Sequence, residues 1–346
     1  MRDTGTTIRA RVPLRLGLAG GGTDLSPYRD LFGGAVLNTT IDRYAYAIIE
    51  PSEDGRLHFI APDIDLTETF DTDLAALRAS RLPLHAGVTA RMLAEFSGGW
   101  VPAIRVTSFV DAPPGSGLGS SSALVVALVE AFRAMLAAPL GPYDVARLAF
   151  SIERVDLALA GGGQDQYAAT FGGMNFIEFH ANDRVIVNPL RVPAAVLNEL
   201  EIALIICFSG VSRRSDAIIA EQQHRMTATA SPAIDSLHEL KSDAIEMKEA
   251  LLRGQIPRMA RLLNKSWEAK KRTAGGISTD TIEALRDRAF AEGAMGGKVS
   301  GAGGGGFLMF LVPPGRRMAV IKGLNDLGGT ATGVHLTQTG AESWSV

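Results

Sequence analysis

Residues Asp111–Phe132 read DAPPGSGLGSSSALVVALVEAF. Before them, Ile104–Val110 (IRVTSFV) is rich in β-branched residues and reads as a strand. After them, Ala123–Leu136 reads as a helix. A strand, a loop of glycine and serine, and a helix together make the geometry of an anion site. The first N–H groups of a helix have no intrahelical partner, and the helix dipole favours negative charge there. Glycines let backbone approach a phosphate with no Cβ in the way. Ser120, Ser121 and Ser122 supply hydroxyls at the helix start, and such a hydroxyl can coordinate Mg2+. The run ALVVALV is apolar nearly all round, which predicts a buried, rigid anchor. A turn whose serines merely cap the helix is the alternative these residues leave open.

Outward from this loop, the 346-residue chain holds 38 glycines, and they gather at Gly20–Gly22, Gly115–Gly119, Gly161–Gly163 and Gly301–Gly306. Each cluster borders a recognisable element. Strands are expected at Ala35–Glu50 and Met174–Phe179, and a helix at Tyr143–Leu159. The second half reads as helices from Ser231-Pro232 to Gly254, Pro257 to Arg272 and Thr281 to Ala291. In the first of these, Ile234, Leu237, Leu240, Ala244, Met247 and Leu251 recur at helical spacing. A strand at Phe307–Val312, a helix at Arg316–Leu327 and a strand at Gly333–Thr337 complete a β-α-β ending. The expected class is α+β in two domains, residues 1–195 and 196–346, with the boundary near Val192–Leu200.

Composition narrows the function. A formal net charge of -3 and no basic run interleaved with aromatics give no reason to expect nucleic acid. The longest apolar runs stop well short of the roughly 18 residues of a membrane span, and the N-terminus lacks a signal-peptide core, so a cytoplasmic protein is expected. The single cysteine, Cys207, lies in the apolar run IALIICF and reads as a buried thiol. A Walker A loop is absent, since Gly297-Lys298 is followed by Val299. Gly301, Gly303 and Gly306 match GxGxxG formally, but FLMFLV after them reads as a strand, whereas a dinucleotide fingerprint opens a helix.

With those motifs set aside, the chain resembles the GHMP kinases (galactokinase, homoserine kinase, mevalonate kinase, phosphomevalonate kinase). PPGSGLGSS at Pro113–Ser121 fits the family's central motif, between PLRLGLAGGGTDL at Pro13–Leu25 and KVSGAGGGGF at Lys298–Phe307. The resemblance implies a ribosomal protein S5 domain 2-like N-terminal domain, a ferredoxin-like α/β sandwich after it, and ATP with Mg2+ as cofactors. Galactokinase-like members carry Gly-Glu-His-Thr-Asp where this chain has Gly20-Gly21-Gly22-Thr23-Asp24. That version, with GGGQDQYAATFGGMNF at Gly161–Phe176, looks like the D-glycero-D-manno-heptose 7-phosphate kinases of the family. The implied reaction is phosphorylation of the anomeric hydroxyl of a heptose 7-phosphate to the 1,7-bisphosphate, with a small sugar phosphate and ATP as partners and neither nucleic acid nor membrane. Another sugar such as L-fucose, or a non-catalytic sensor on the same fold, are the alternatives.

By the same resemblance, Asp165 is the catalytic carboxylate and Arg15 the neighbouring cation. A helix-capping aspartate and a structural ion pair are the plainer readings. Pro114, Gly115, Ser116, Gly117, Leu118, Gly119, Ser120 and Ser121 are expected to cradle the nucleotide. Ser121 and Glu153 are the candidate metal donors, although Glu153 also suits a solvated helix face. Asp24, with Thr23, Gly22 and Gly303, is expected at the sugar. Cations for the far-end phosphate are sought among Arg29, Arg43, Arg213, Arg214, Lys270 and Lys271, with Arg213-Arg214 in FSGVSRRSD favoured.

Overall fold

A computed structural model describes residues 6–212, 216–226 and 232–346. Arg213, Arg214 and the Ser231 cap lie outside the described residues. In the first domain the strands are β1 (Ile8–Ala19), β2 (Gly34–Pro51), β3 (Leu57–Ala61), β4 (Leu66–Phe70), β5 (Ile104–Val110), β6 (Met174–Phe179) and β7 (Val185–Pro189). Its helices are α1 (Tyr28–Phe32), α2 (Pro83–Phe96), α3 (Ser120–Leu136), α4 (Pro142–Ser151) and α5 (Gln164–Phe171). Helix α6 (Ala194–Ala203) leads into β8 (Leu204–Phe208), so residues 195 and 196 sit inside one helix. Then come α7 (Asp216–Arg225), α8 (Pro232–Leu252), α9 (Ile256–Lys271), α10 (Asp280–Ala291), β9 (Gly296–Val299), β10 (Phe307–Leu311), α11 (Arg317–Asp326), β11 (Thr330–Gly333) and β12 (Glu342–Ser345).

The first sheet runs β12-β1-β2-β5-β3-β4 and forks at β2, whose first half pairs with β6 at Gly34–Thr39 while its second half pairs with β5 at Ala45–Pro51. The fork works because β2 is long enough to have two partners in succession along one edge. Helix α3 packs across β1 and β2, and Ala123 through Phe132 are buried apart from Leu124. Its one buried carboxylate, Glu130, is held by Arg133 and by the hydroxyl of Ser343.

The second sheet has the order β11-β8-β10-β9. Counted along the chain, that is fourth-first-third-second, the β-α-β-β-α-β path of a ferredoxin-like sandwich. The six apolar residues of α8 at helical spacing are all buried, and the five larger than Ala244 each contribute about 1.5–3 kcal/mol by leaving water. Helices α8 and α9 pair with each other and also touch β1, so one apolar cluster runs from Val12 and Leu14 through Met247 and Ile256 to Met309. Cys207 lies in β8, fully buried, and burial pushes its thiol up to about 12.

Two local expectations are corrected. The last strand of the second sheet is Thr330–Gly333, not Gly333–Thr337. Beyond Gly333 the chain leaves that sheet for the first one: Asp42 N–H donates to the His335 carbonyl at 3.0 Å, and Leu336 bridges to Ile41. The helix expected through Leu159 ends as α-helix at Ser151 and continues as a π-helical turn, Ile152–Asp156. The Leu157 N–H reaches back five residues to the Ile152 carbonyl at 2.9 Å.

Candidate active site

The glycine-rich loop before α3 and the loop Ser300–Gly306 before β10 lie against each other. A Cβ at Gly117, whose φ is 78°, would come within 2.3 Å of the Ser300 carbonyl oxygen. The Phe307 N–H donates to the Ser116 carbonyl at 2.8 Å. Two loops from different domains can approach this closely only with glycine on the facing side. They form one wall of a cleft of about 460 Å³ that runs between the domains. Pro114, Gly115, Gly117, Gly119, Ser120 and Ser121 line it, as does the N-terminus of α3. Ser116 and Leu118 face inward and are fully buried. Gly303 does not line the cleft but lies over the backbone of Ile277; Gly301 and Ala302 are the residues of that loop that reach it.

Arg15 comes up from β1 into this cleft and is 4% exposed. Its Nε and Nη2 both donate to Oδ1 of Asp165, each at 2.7 Å, and its Nη1 donates to the Gly117 carbonyl at 2.6 Å. Residues 150 apart in sequence are thus fixed against each other and against the loop. Asp165 sits in the first turn of α5, where the helix dipole favours its charge. Both members of the pair line the cleft.

Asp24 is 1% exposed, and its carboxylate accepts from the Gly22 N–H at 3.1 Å, the Gln164 N–H at 3.1 Å and the Gln164 side-chain amide at 3.0 Å. It lines the cleft with Gly22. Thr23 is fully buried and does not: its hydroxyl donates to the Gly20 carbonyl and accepts from the Ala35 N–H, which closes the turn. Gly162 has to be glycine because a Cβ there would sit 1.9 Å from Oδ2 of Asp24. Gly162→Ala is therefore expected to push the Asp24 carboxylate aside. It should raise the KM of a substrate that this carboxylate contacts about tenfold or more, roughly 1.4 kcal/mol of lost binding, with the KM of a second substrate bound elsewhere in the cleft little changed. Steady-state kinetics with each substrate varied in turn checks this.

Glu153 lies in the π-helical turn and is 1% exposed. Its Oε1 accepts from the Ser121 hydroxyl at 3.3 Å and its Oε2 from the Gln166 amide at 2.5 Å. It is not a solvated helix glutamate; the turn places its carboxylate at the start of α3. One carboxylate and one hydroxyl at a helix N-terminus could hold Mg2+, an ion that keeps several waters and takes other ligands from substrate phosphates.

Residues 83–173 match the profile described as GHMP kinases N terminal domain, and residues 247–330 that of GHMP kinases C terminal. The chain is 40% identical, over 98% of its length and 99% of the relative's, to a D-glycero-alpha-D-manno-heptose 7-phosphate kinase of Campylobacter jejuni. The chain belongs to the GHMP kinase family. A crystal structure titled as a D-glycero-D-manno-heptose 1-phosphate kinase from Bacteroides thetaiotaomicron matches this GHMP kinase with a TM-score of 0.83 at 40% identity, covering 98% of this chain and 99% of that one. The kinase is also 28% identical, over 87% of its length, to an L-fucokinase/L-fucose-1-P guanylyltransferase of Bacteroides fragilis, of which it spans 34%. Like its family, it uses ATP as the phosphate donor.

Two lysines complete the cleft of this kinase. Lys270 on α9 donates to the Gly21 carbonyl at 3.1 Å, and Lys298 on β9 donates to the Gly17 carbonyl at 2.6 Å. Burial pushes the Lys298 ammonium down to about 7, with Lys270 and Arg15 adding to the shift. Burial likewise lowers Lys270 to about 8, against the pull of Asp24. Lys270 was among the cations expected for a phosphate. Lys298 was not, although it opens the third motif, because a lysine at the end of a short strand carries no sign that it will be buried. Lys271 instead pairs with Glu268, and among the described residues no helix is long and apolar enough to cross a membrane.

Proposed function

We propose that this kinase transfers the γ-phosphoryl group of ATP to the anomeric hydroxyl of D-glycero-D-manno-heptose 7-phosphate, giving the 1,7-bisphosphate. The observation that carries the reading is the Arg15–Asp165 pair, held beside the α3 phosphate cradle and in the same cleft as Asp24. The relative matched over nearly its whole length is named for this substrate.

Phosphoryl transfer asks a protein mainly to position the reactants and stabilise charge. The backbone N–H groups at the start of α3 bind the phosphates of ATP. Asp24, pre-ordered by Gln164 and Gly22, accepts from sugar hydroxyls. Asp165 orients the acceptor hydroxyl and takes its proton, while Arg15 holds that carboxylate in place and offsets the charge that builds on the transferred group. Ser121 and Glu153 would hold Mg2+, which when bound neutralises phosphate charge. Glu153→Gln is expected to raise the Mg2+ concentration for half-maximal rate about 10- to 100-fold. A Mg2+ titration at fixed ATP checks this, and an unchanged midpoint would place the ion on other residues.

The names of the two 40%-identical relatives agree on a heptose phosphate and differ in which phosphate, 7 or 1. ADP release with heptose 7-phosphate, heptose 1-phosphate, L-fucose and galactose decides the acceptor. Turnover with the 7-phosphate well above the other three supports the proposal. Preference for the 1-phosphate overturns the anomeric assignment, and preference for L-fucose overturns the heptose.

A further inference from the structure

A second pocket of about 350 Å³ opens from the cleft. The two share Asp24, Arg154 and Leu159–Gly161, but Asp165 lines only the cleft. This second pocket is lined by two arginines, Arg29 from α1 and Arg154 from the π-helical turn, together with the neutral donors of Ser26 and Gln223. We propose that this pocket, through Arg29 and Arg154, is the subsite for a phosphate at the end of the sugar remote from the reacting hydroxyl. The inference rests on the sugar phosphate reading above and supplies its specificity.

Among the described residues Arg154 donates to backbone carbonyls alone, those of Gly162 at 3.2 Å, Ala160 at 3.4 Å and Leu159 at 3.5 Å. The carboxylate it pairs with among the described residues is Glu153, at 3.8 Å. Carbonyls orient a guanidinium without cancelling its charge, so Arg154 still offers that charge to a ligand. Its position also depends on Gly161, where a Cβ would fall 2.3 Å from Cζ. Arg29 is 8% exposed, stacked over the Phe150 ring at 5.2 Å and bonded through Nε to the Ser26 hydroxyl at 3.1 Å.

The carboxylates on Arg29 are Asp183 at 2.5 Å and Asp30 at 3.4 Å, whose side chains are 58% and 40% exposed. Carboxylates so exposed can turn into solvent and rehydrate, so a phosphate dianion can take their place on the buried guanidinium. Among the described residues lining the pocket the one carboxylate is Asp24, which already has both oxygens on amide donors. Arginine recognises phosphate as a planar fork, and two such forks lining one pocket suit a terminal phosphate ester. A sugar that places its reacting hydroxyl at Asp165 and its middle hydroxyls at Asp24 would reach this pocket with its far end.

The test compares kcat/KM for D-glycero-D-manno-heptose 7-phosphate with that for the same heptose without phosphate, in the wild type and in Arg154→Gln, Arg29→Gln, the double variant, and Arg213→Gln with Arg214→Gln. The expected result is a wild-type ratio well above one. Arg154→Gln and Arg29→Gln each lower that ratio at least tenfold, and the double variant brings it near one. Should Arg29→Gln fail to fold, Arg154→Gln and Arg154→Lys carry the test, with lysine restoring part of the ratio. A ratio that survives in the Arg154 variants, or falls only with Arg213 and Arg214, overturns the subsite while the sugar phosphate reading stands. A wild-type ratio near one overturns that reading itself.

Discussion

Asp165→Asn is expected to lower kcat about 10²- to 10⁴-fold, the range for removing a positioned general base, or roughly 3–5.5 kcal/mol of barrier. The substitution keeps the shape of the side chain and one acceptor oxygen, so Arg15 retains a hydrogen-bond partner. Alanine would instead strip a guanidinium that is 4% exposed of its counter-charge. Breaking a buried pair in that way costs about 3–5 kcal/mol of stability, which would confuse lost chemistry with lost fold. Two measurements separate the roles: single-turnover rate at saturating substrates, and the affinity for ATP. A catalytic Asp165 gives a slow enzyme that binds ATP normally. If the pair is only structural, kcat stays within about threefold of the wild type and the melting temperature alone falls.

Mg-ATP binding at pH 8 should take up roughly half a proton or more, and Lys298→Met should remove most of that uptake. Lys298, lowered to about 7, is largely neutral at pH 8 in the free enzyme, and Lys270, lowered to about 8, is half so. Phosphates entering the cleft favour both ammonium forms and draw protons from solvent. Calorimetric titrations in HEPES and Tris, which differ in ionisation enthalpy, read the uptake directly. Identical heats in the two buffers would mean that these lysines do not face the nucleotide.

The same shift fixes the pH dependence of stability. A lysine whose folded pKa is lowered binds fewer protons folded than unfolded between about 7 and its ordinary 10.5. Stability from this group therefore rises with pH across that window, and the cost of burying the charge is complete below about 7. Lys298→Met should accordingly raise the melting temperature most near pH 6 and least near pH 10. A gain independent of pH would rule out the titration as its cause.

The pattern of residues within each segment determined much of this protein. IRVTSFV and MNFIEF are strands over the stretches their composition marks, and the stripe from Ile234 to Leu251 is buried as its period requires. The strand Phe307–Leu311 excludes a dinucleotide fold at Gly301–Gly306, as its β-rich residues imply. The strand, glycine loop and helix proposed to hold the nucleotide phosphates were legible as elements too, because they are consecutive in the chain.

The tertiary structure alone decided which chemical groups meet. Arg15 and Asp165 come together because β1 and α5 flank α3 in space, and no local pattern encodes a pair 150 residues apart. Thr23 and Gly303 carry motif residues but turn away from the cleft, since a hydroxyl or a Cα shows no direction until its neighbours are packed. Lys298 and Arg154 look like ordinary surface cations in sequence. They become candidate site residues because β1 of the first domain closes over one, and a π-helical turn with a glycine beside it aims the other. Propensity and period act over a few neighbouring residues, whereas burial and charge pairing depend on distances that exist only after the two domains close on each other.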